Sequence, residues 1–215
     1  MNKEQQRQIW IAFFLLAIFG IAMGVFEAAT VVYIRELGKM DMLNINLYPI
    51  ELTREVSTIA MLVIIAVITG KNFLQRFSFF IYTFAFWDIF YYVAFHIFIS
   101  WPPSLSTWDV LFLIPIVWQG PVIAPIFCSL MMILLAIEIV YLQIKNRSLR
   151  IDLPEWTLLC LGGSVILLSF LWNSIQGISP EELPPPSYNW LLFGIGTAFI
   201  FGAKISLLKR ENKTK

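Results

Sequence analysis

Six apolar stretches, each long enough to cross a lipid bilayer as an α-helix, dominate this chain of 215 residues. They lie at about 9–32, 49–69, 77–99, 121–144, 155–174 and 190–208. A spanning helix needs roughly 20 consecutive apolar residues. Hydrophobic residues make up 59% of the sequence and charged residues only 13%, against about 25% charged in a soluble protein. The sequence therefore predicts an all-α, polytopic membrane bundle that forms a single integral membrane domain over residues 1–215.

The stretch between the third and fourth spans does not fit one regular helix. The apolar run Val110–Ile144 would extend about 52 Å at ~1.5 Å per residue, which is too long for one span and too short for two. Pro115, Gly120 and Pro121 interrupt its first third. We therefore predict a short helix over about 108–118, which either re-enters the membrane or lies flat in the interface.

The first span carries a close-packing motif that ends in an acid. Gly20 and Gly24 form a G-x-x-x-G stripe, and Glu27 follows three residues later. Glycines at this spacing let another helix approach closely. We therefore expect Glu27 to face protein rather than lipid.

The third span carries an acid close to its middle. Asp88, Tyr92 and His96 recur every four residues, which places them on one helical stripe. A carboxylate at this depth needs a partner or a proton. Asp88 is therefore the strongest functional candidate in the sequence, and Glu27 is the next.

Basic residues are distributed unevenly around the spans. Twelve of the 15 Lys and Arg residues fall near the chain ends or in the connections after the second and fourth spans. The positive-inside rule then places both termini in the cytoplasm. The remaining three, Arg35, Lys39 and Arg54, fall on the opposite face together with many of the acids.

Polar residues near that opposite face predict a ligand site. We expect an acidic funnel, open to the outer face and with Asp88 at its floor, that takes a small ion, a small molecule or a lipid headgroup. Its candidate ligand-binding residues are Glu27, Arg35, Glu36, Glu51, Arg54, Glu55, Asp88, Tyr91, Tyr92, His96, Trp101, Trp108 and Asp109. Ion pairs at the helix ends and interfacial tryptophans are the simpler explanations for several of these residues.

Several chemistries have no support in the sequence. It contains no G-x-S-x-G, H-E-x-x-H or P-loop motif, and its net charge of +1 argues against a nucleic-acid partner. A single histidine excludes a bis-His haem or a multi-His zinc site supplied by this chain alone. No metal site is assigned, and the cofactors and catalytic residues are unknown.

Four segments resemble an uncharacterised family of bacterial multi-pass inner-membrane proteins. They are E-A-A-T-V-V-Y-I-R-E-L (Glu27–Leu37), E-L-T-R-E (Glu51–Glu55), F-W-D-I-F-Y-Y (Phe86–Tyr92) and W-P-P-S-L-S-T-W-D-V-L-F-L-I-P (Trp101–Pro115). The resemblance covers about Gly24 to Pro125. It implies a location in the bacterial inner membrane and no particular reaction.

Three functions stay open. In the first, the protein transports or binds a small ligand or ion, and Asp88 titrates or holds a cation. In the second, it is an intramembrane enzyme acting on a lipid or lipid-linked substrate, with Asp88 or Glu27 as the general acid or base and Arg35 or Arg54 holding a phosphate. In the third, it is an accessory subunit that packs against a membrane partner or a second copy of itself. We favour the first.

Overall fold

The structure, a computed structural model, describes residues 3–39, 48–145, 150–178 and 187–213. Its elements are α1 (Lys3–Lys39), α2 (Tyr48–Thr69), α3 (Phe73–Ile99), β1 (Trp108–Phe112), β2 (Trp118–Pro121), α4 (Ile123–Lys145), α5 (Leu153–Ile175) and α6 (Trp190–Lys213). All six helices are long and apolar enough to cross a membrane. The predicted all-α membrane fold is therefore confirmed, with helix ends that fall within a few residues of most predicted spans.

The chain divides into two compact units. The first comprises Met1–Thr107 and Val122–Arg147 and contains α1 to α4. The second comprises Trp108–Pro121 and Ser148–Lys215 and contains the two strands, α5 and α6. The single membrane domain over residues 1–215 stays a prediction.

The expected helix at 108–118 is wrong, because this segment forms an antiparallel β-hairpin. Trp108 pairs with Pro121 and Asp109 with Gly120, and the register shifts between Val110 and Phe112. Aromatic and β-branched residues favour strands over helices, and the prolines within the segment cannot continue a helical ladder. The hairpin explains why the apolar run is longer than one span.

In the second unit, the hairpin is bound to α5 through a buried amide. Gln119 on β2 is 3% exposed, and its Nε2 donates to Ser174 Oγ at 3.1 Å and to the Ile178 carbonyl at 3.2 Å. Ser174 Oγ in turn donates to the Val117 carbonyl at 2.5 Å. These bonds satisfy polar groups that lipid could not satisfy.

In the first unit, α3 lies between α1, α2 and α4 and contacts all three. Its approach to α1 depends on glycine. A Cβ added to Gly20 would lie 2.7 Å from the Thr83 carbonyl oxygen, and one added to Gly24 would lie 2.6 Å from the Trp87 carbonyl oxygen. The G-x-x-x-G prediction is thereby confirmed, and the same register brings Glu27 toward α3.

Candidate functional site

A buried carboxylate joins three helices of the first unit. Glu27 on α1 is 4% exposed, and its Oε1 forms an ion pair with Nη1 of Arg54 on α2. Its Oε2 accepts hydrogen bonds from Thr58 Oγ1 at 2.9 Å and from Trp87 Nε1 on α3 at 2.7 Å. Both carboxylate oxygens are thus engaged, as expected for a charge buried within a span.

The Arg54 guanidinium lies between two acids. Its Nη2 is 3.7 Å from Glu55 Oε1, and Glu55 is itself 4% exposed. Arg54 Nε is buried and has no hydrogen-bond partner in the part of the chain that the structure describes. We call Glu27, Arg54, Glu55, Thr58 and Trp87 the Glu27 cluster.

Helical spacing explains why these residues meet. Arg54 and Thr58 are four residues apart on α2 and therefore lie on the same face. Arg54 is six residues from the start of α2, or ~9 Å along the helix. Gly24 holds α1 against Trp87, and Glu27 lies one turn further along α1. The cluster therefore lies part-way along the helices and not at their exposed ends.

Asp88 makes a different contact. It is half-buried in the middle of α3, and its Oδ2 accepts a hydrogen bond from Ser129 Oγ on α4 at 2.8 Å. Ser129 is fully buried. Successive helical residues point about 100° apart, so Trp87 and Asp88 present their side chains to different neighbours. The two acids expected to share one funnel are held by different helices.

Arg35 contacts aromatic rings near the end of α3. Its Cζ lies 5.3 Å from the centroid of the Phe95 ring and 6.0 Å from that of Trp101, which is cation–π geometry. The Phe95 and Trp101 centroids are 5.4 Å apart. Tyr91 packs edge-on against Phe95, and the Tyr92 ring is tilted against that of Trp101. Four of the predicted site residues therefore lie in one group of contacts, in which the Arg35 cation packs against an aromatic cluster that includes Tyr91, Tyr92 and Trp101.

The remaining candidates in the first unit are His96, Glu36 and Glu51. His96 is exposed, and its Nδ1 is 3.2 Å from the Pro102 carbonyl oxygen. Glu36 is exposed near the end of α1, and Glu51 lies half-buried in the first turn of α2. None of these contacts assigns a ligand to the residue.

Two candidates belong to the second unit. Trp108 and Asp109 lie on β1, where the Trp108 ring centroid is 6.3 Å from that of Tyr188. The sequence could not distinguish these two residues from the other candidates, because it predicted a helix at 108–118 and not a hairpin.

Three residues that contact the acids were absent from the predicted set. Thr58 could have been found, since it lies four residues after Arg54 on the same face of α2. Trp87 precedes Asp88 directly, but its donation to Glu27 depends on how closely α1 packs against α3. Ser129 lies in an apolar run and gives no sequence indication of its contact with Asp88.

Within residues 3–39, 48–145, 150–178 and 187–213, no group of three or more His, Cys, Asp and Glu residues could hold a metal ion.

Six helices of membrane-spanning length define a multi-pass integral membrane protein in a lipid bilayer. Charged and polar side chains on these helices form ion pairs and hydrogen bonds with one another. No family model matches the chain, no curated protein matches it, and no solved structure matches it. Any more specific function has to be inferred from the buried polar contacts.

Proposed function

We propose that this protein binds or transports a small ion or ligand at Asp88, between α3 and α4. The observation that supports the proposal is the contact of the Asp88 carboxylate with Ser129. Asp88 lies in the middle of α3, and its described hydrogen bond comes from the neutral hydroxyl of Ser129. Placing an ionisable group within a membrane span costs free energy, and such groups usually have a function. A carboxylate beside a hydroxyl supplies oxygen ligands for a hard cation or a site for a proton.

The Glu27 cluster has a positioning role in this proposal. Its ion pair and two hydrogen bonds connect α1, α2 and α3, so they hold α3 in place beside α4. Glu51, near the start of α2, adds negative charge on the side from which a cation would approach. We propose that this side is the outer face, in keeping with the predicted acidic funnel.

The proposed location is the bacterial inner membrane, with both termini in the cytoplasm. Two sequence observations support it: the bias of Lys and Arg residues toward the side of the termini and the resemblance of the four segments to bacterial inner-membrane proteins.

An accessory role is the second candidate, and the pairing of Glu27 favours it. An acid whose two oxygens are both engaged by the protein's own donors stabilises helix packing without any ligand. If Asp88 is equally structural, the protein serves as a subunit that packs against a membrane partner.

Native mass spectrometry in a mild detergent tests the choice. We would compare the wild type with Asp88→Asn, and use Glu4→Gln, which neutralises an exposed acid at the start of α1, as the matched control. The proposal predicts a bound cation or small molecule in the wild type and in the control, and its loss in Asp88→Asn.

Identical bound masses in all three proteins would contradict a site at Asp88. A ligand-free protein that retains one partner in all three samples would establish the accessory role. A bound lipid that is lost only in Asp88→Asn would indicate that the same carboxylate takes part in lipid chemistry.

A further inference from the structure

Four basic side chains lie around the end of the first unit where α1 and α3 begin and α4 ends. They are Arg7, Lys71, Arg76 and Lys145, and all four are exposed. Residues of α1, of the turn before α3 and of α4 come together around one recess at this end, and each of the four cations lies within two residues of its lining. The three chain segments therefore bring the cations to the same part of the surface.

Two of these cations belong to one short turn between α2 and α3. Arg76 Nε donates to the Gly70 carbonyl at 3.0 Å, so the arginine folds back over the turn. Glycine leaves room for this contact, because a Cβ at Gly70 would lie 2.6 Å from Arg76 Cγ. The Lys71 backbone N–H donates to Gln75 Oε1 at 3.0 Å, which fixes the next residue of the turn. The Lys71 and Arg76 side chains are therefore anchored close together at their stems.

Little negative charge opposes these cations. Among the described acids of the first unit, Glu4 at the start of α1 shares this end with them. Glu138 lies seven residues before Lys145, or ~10 Å further along α4. The terminal nitrogens of Lys71 and Arg76 form no ion pair with any described residue. The surface therefore carries a net positive charge that an anion can neutralise.

Exposed aromatic side chains indicate the depth of this end in the bilayer. Trp10 and Tyr141 are exposed, and Lys145 Nζ lies 4.5 Å from the centroid of the Tyr141 ring. Trp and Tyr are enriched where the hydrocarbon region meets the headgroups. Arg7 lies ~4.5 Å beyond Trp10 towards the start of α1, and Lys145 ~6 Å beyond Tyr141 towards the end of α4. The cations therefore lie at the level of the lipid phosphates.

We propose that this basic surface binds an anionic phospholipid, with the lipid phosphate at Lys71 and Arg76. The guanidinium and the ammonium both suit a phosphate, and Arg7 and Lys145 add attraction from the neighbouring helices. A lipid with a net negative charge is favoured over a zwitterionic one, because the positive choline or ammonium group of the latter is repelled by the same cations. This inference does not depend on a ligand at Asp88.

Lipid titration followed by native mass spectrometry tests this proposal on the full chain in a mild detergent. The probes are phosphatidylglycerol and phosphatidylcholine with the same acyl chains, so that they differ in headgroup charge. Each basic residue near a lipid surface strengthens binding about fivefold. With two cations at the phosphate, we expect phosphatidylglycerol to bind about 25-fold more tightly than phosphatidylcholine. The preference should fall as the concentration of ammonium acetate is raised.

Single substitutions locate the site on the surface. Lys71→Gln and Arg76→Gln should each weaken the binding of phosphatidylglycerol about fivefold and hardly change that of phosphatidylcholine, which also shows that the variants fold. Arg76→Lys keeps the charge and should retain most of the preference. Lys209→Gln, which removes an exposed cation from α6 in the second unit, is the matched control and should leave the binding of both lipids unchanged.

A competition arm with inorganic phosphate tests whether the occupant is a lipid. At equal concentration it should not displace phosphatidylglycerol, because the acyl chains also hold the lipid at the apolar surface of the helices. Displacement would overturn the assignment to a lipid. Equal binding of the two lipids by the wild type, or an equal loss of phosphatidylglycerol in Arg76→Gln and Lys209→Gln, would overturn the proposal as well.

Discussion

Trp87 and Asp88 are neighbours in α3, yet they take part in two different kinds of polar contact. Trp87 helps to bury the Glu27 carboxylate, which also has a guanidinium and a hydroxyl as partners. Asp88 accepts a described hydrogen bond from a hydroxyl on α4 and is only half-buried. A buried charge that is paired and hydrogen-bonded is costly to disturb.

The largest expected effect comes from removing the cation of the Glu27 cluster. Arg54→Met leaves the Glu27 carboxylate buried without its ion-pair partner, and we expect a loss of about 3–5 kcal/mol in the free energy of unfolding. Denaturation with sodium dodecyl sulfate, followed by circular dichroism, measures it.

The double variant Glu27→Leu/Arg54→Met is the control for that result. It removes both charges, so most of the lost stability should return. If Arg54→Met alone lowered the free energy of unfolding by less than about 1 kcal/mol, the cluster would not hold the helices together.

Gly24→Ala should have the next largest effect, because the new Cβ would meet backbone atoms of α3. The Trp87 carbonyl oxygen would lie at 2.6 Å and the Tyr91 nitrogen at 2.9 Å. We expect a loss of about 1–3 kcal/mol in the free energy of unfolding, measured in the same denaturation experiment.

Gly194→Ala is the matched control for Gly24→Ala. Apart from its own stretch of helix, no atom of the described residues lies within 4 Å of its added Cβ, so the helix should gain up to about 1 kcal/mol. Equal losses in the two variants would show that the approach of α1 to α3 does not depend on Gly24.

Trp87→Phe should have a moderate effect. It removes the indole N–H from Glu27 Oε2 while Thr58 still donates, so we expect a loss of about 1 kcal/mol in the free energy of unfolding. The ligand bound at Asp88 should remain visible by native mass spectrometry. Loss of that ligand without loss of stability would contradict the separation of the two contacts.

Ser129→Ala should have the smallest effect on stability, about 0.5 kcal/mol. It removes one neutral donor from Asp88, and a bound cation would lose one oxygen ligand. We expect the occupancy of the ligand in native mass spectra to fall although the free energy of unfolding hardly changes. The reverse result would make Ser129 a packing residue and not part of a site.

The helices and the contact between α1 and α3 could be predicted because they depend on local patterns. Apolar length fixes the spans, and the spacing of Gly20 and Gly24 indicates a close-packed face. The hairpin was missed because hydropathy alone does not distinguish an apolar strand from part of an apolar helix. Its bonds to Ser174 and Ile178 join residues more than 50 positions apart.

The candidate site was predicted only in part, for a similar reason. Glu27, Arg54 and Glu55 were in the predicted set, and the structure brings them together. Placing Asp88 in the same funnel relied on its depth, and depth does not determine which side of α3 a residue faces. Its partner Ser129 lies on another helix, and only tertiary packing reveals that contact.

Side-by-side unfolding of Glu27→Gln and Asp88→Asn tests the central claim most directly, since each change replaces one carboxylate by an amide of nearly the same shape. In Glu27→Gln the amide cannot be an acceptor at every position that Arg54, Thr58 and Trp87 require, so a loss of about 3 kcal/mol is expected. In Asp88→Asn the remaining carbonyl oxygen can still accept from Ser129, so the loss should stay below about 1 kcal/mol. Equal losses, or a larger loss in Asp88→Asn, would contradict the assignment of a structural role to Glu27 and a ligand-binding role to Asp88.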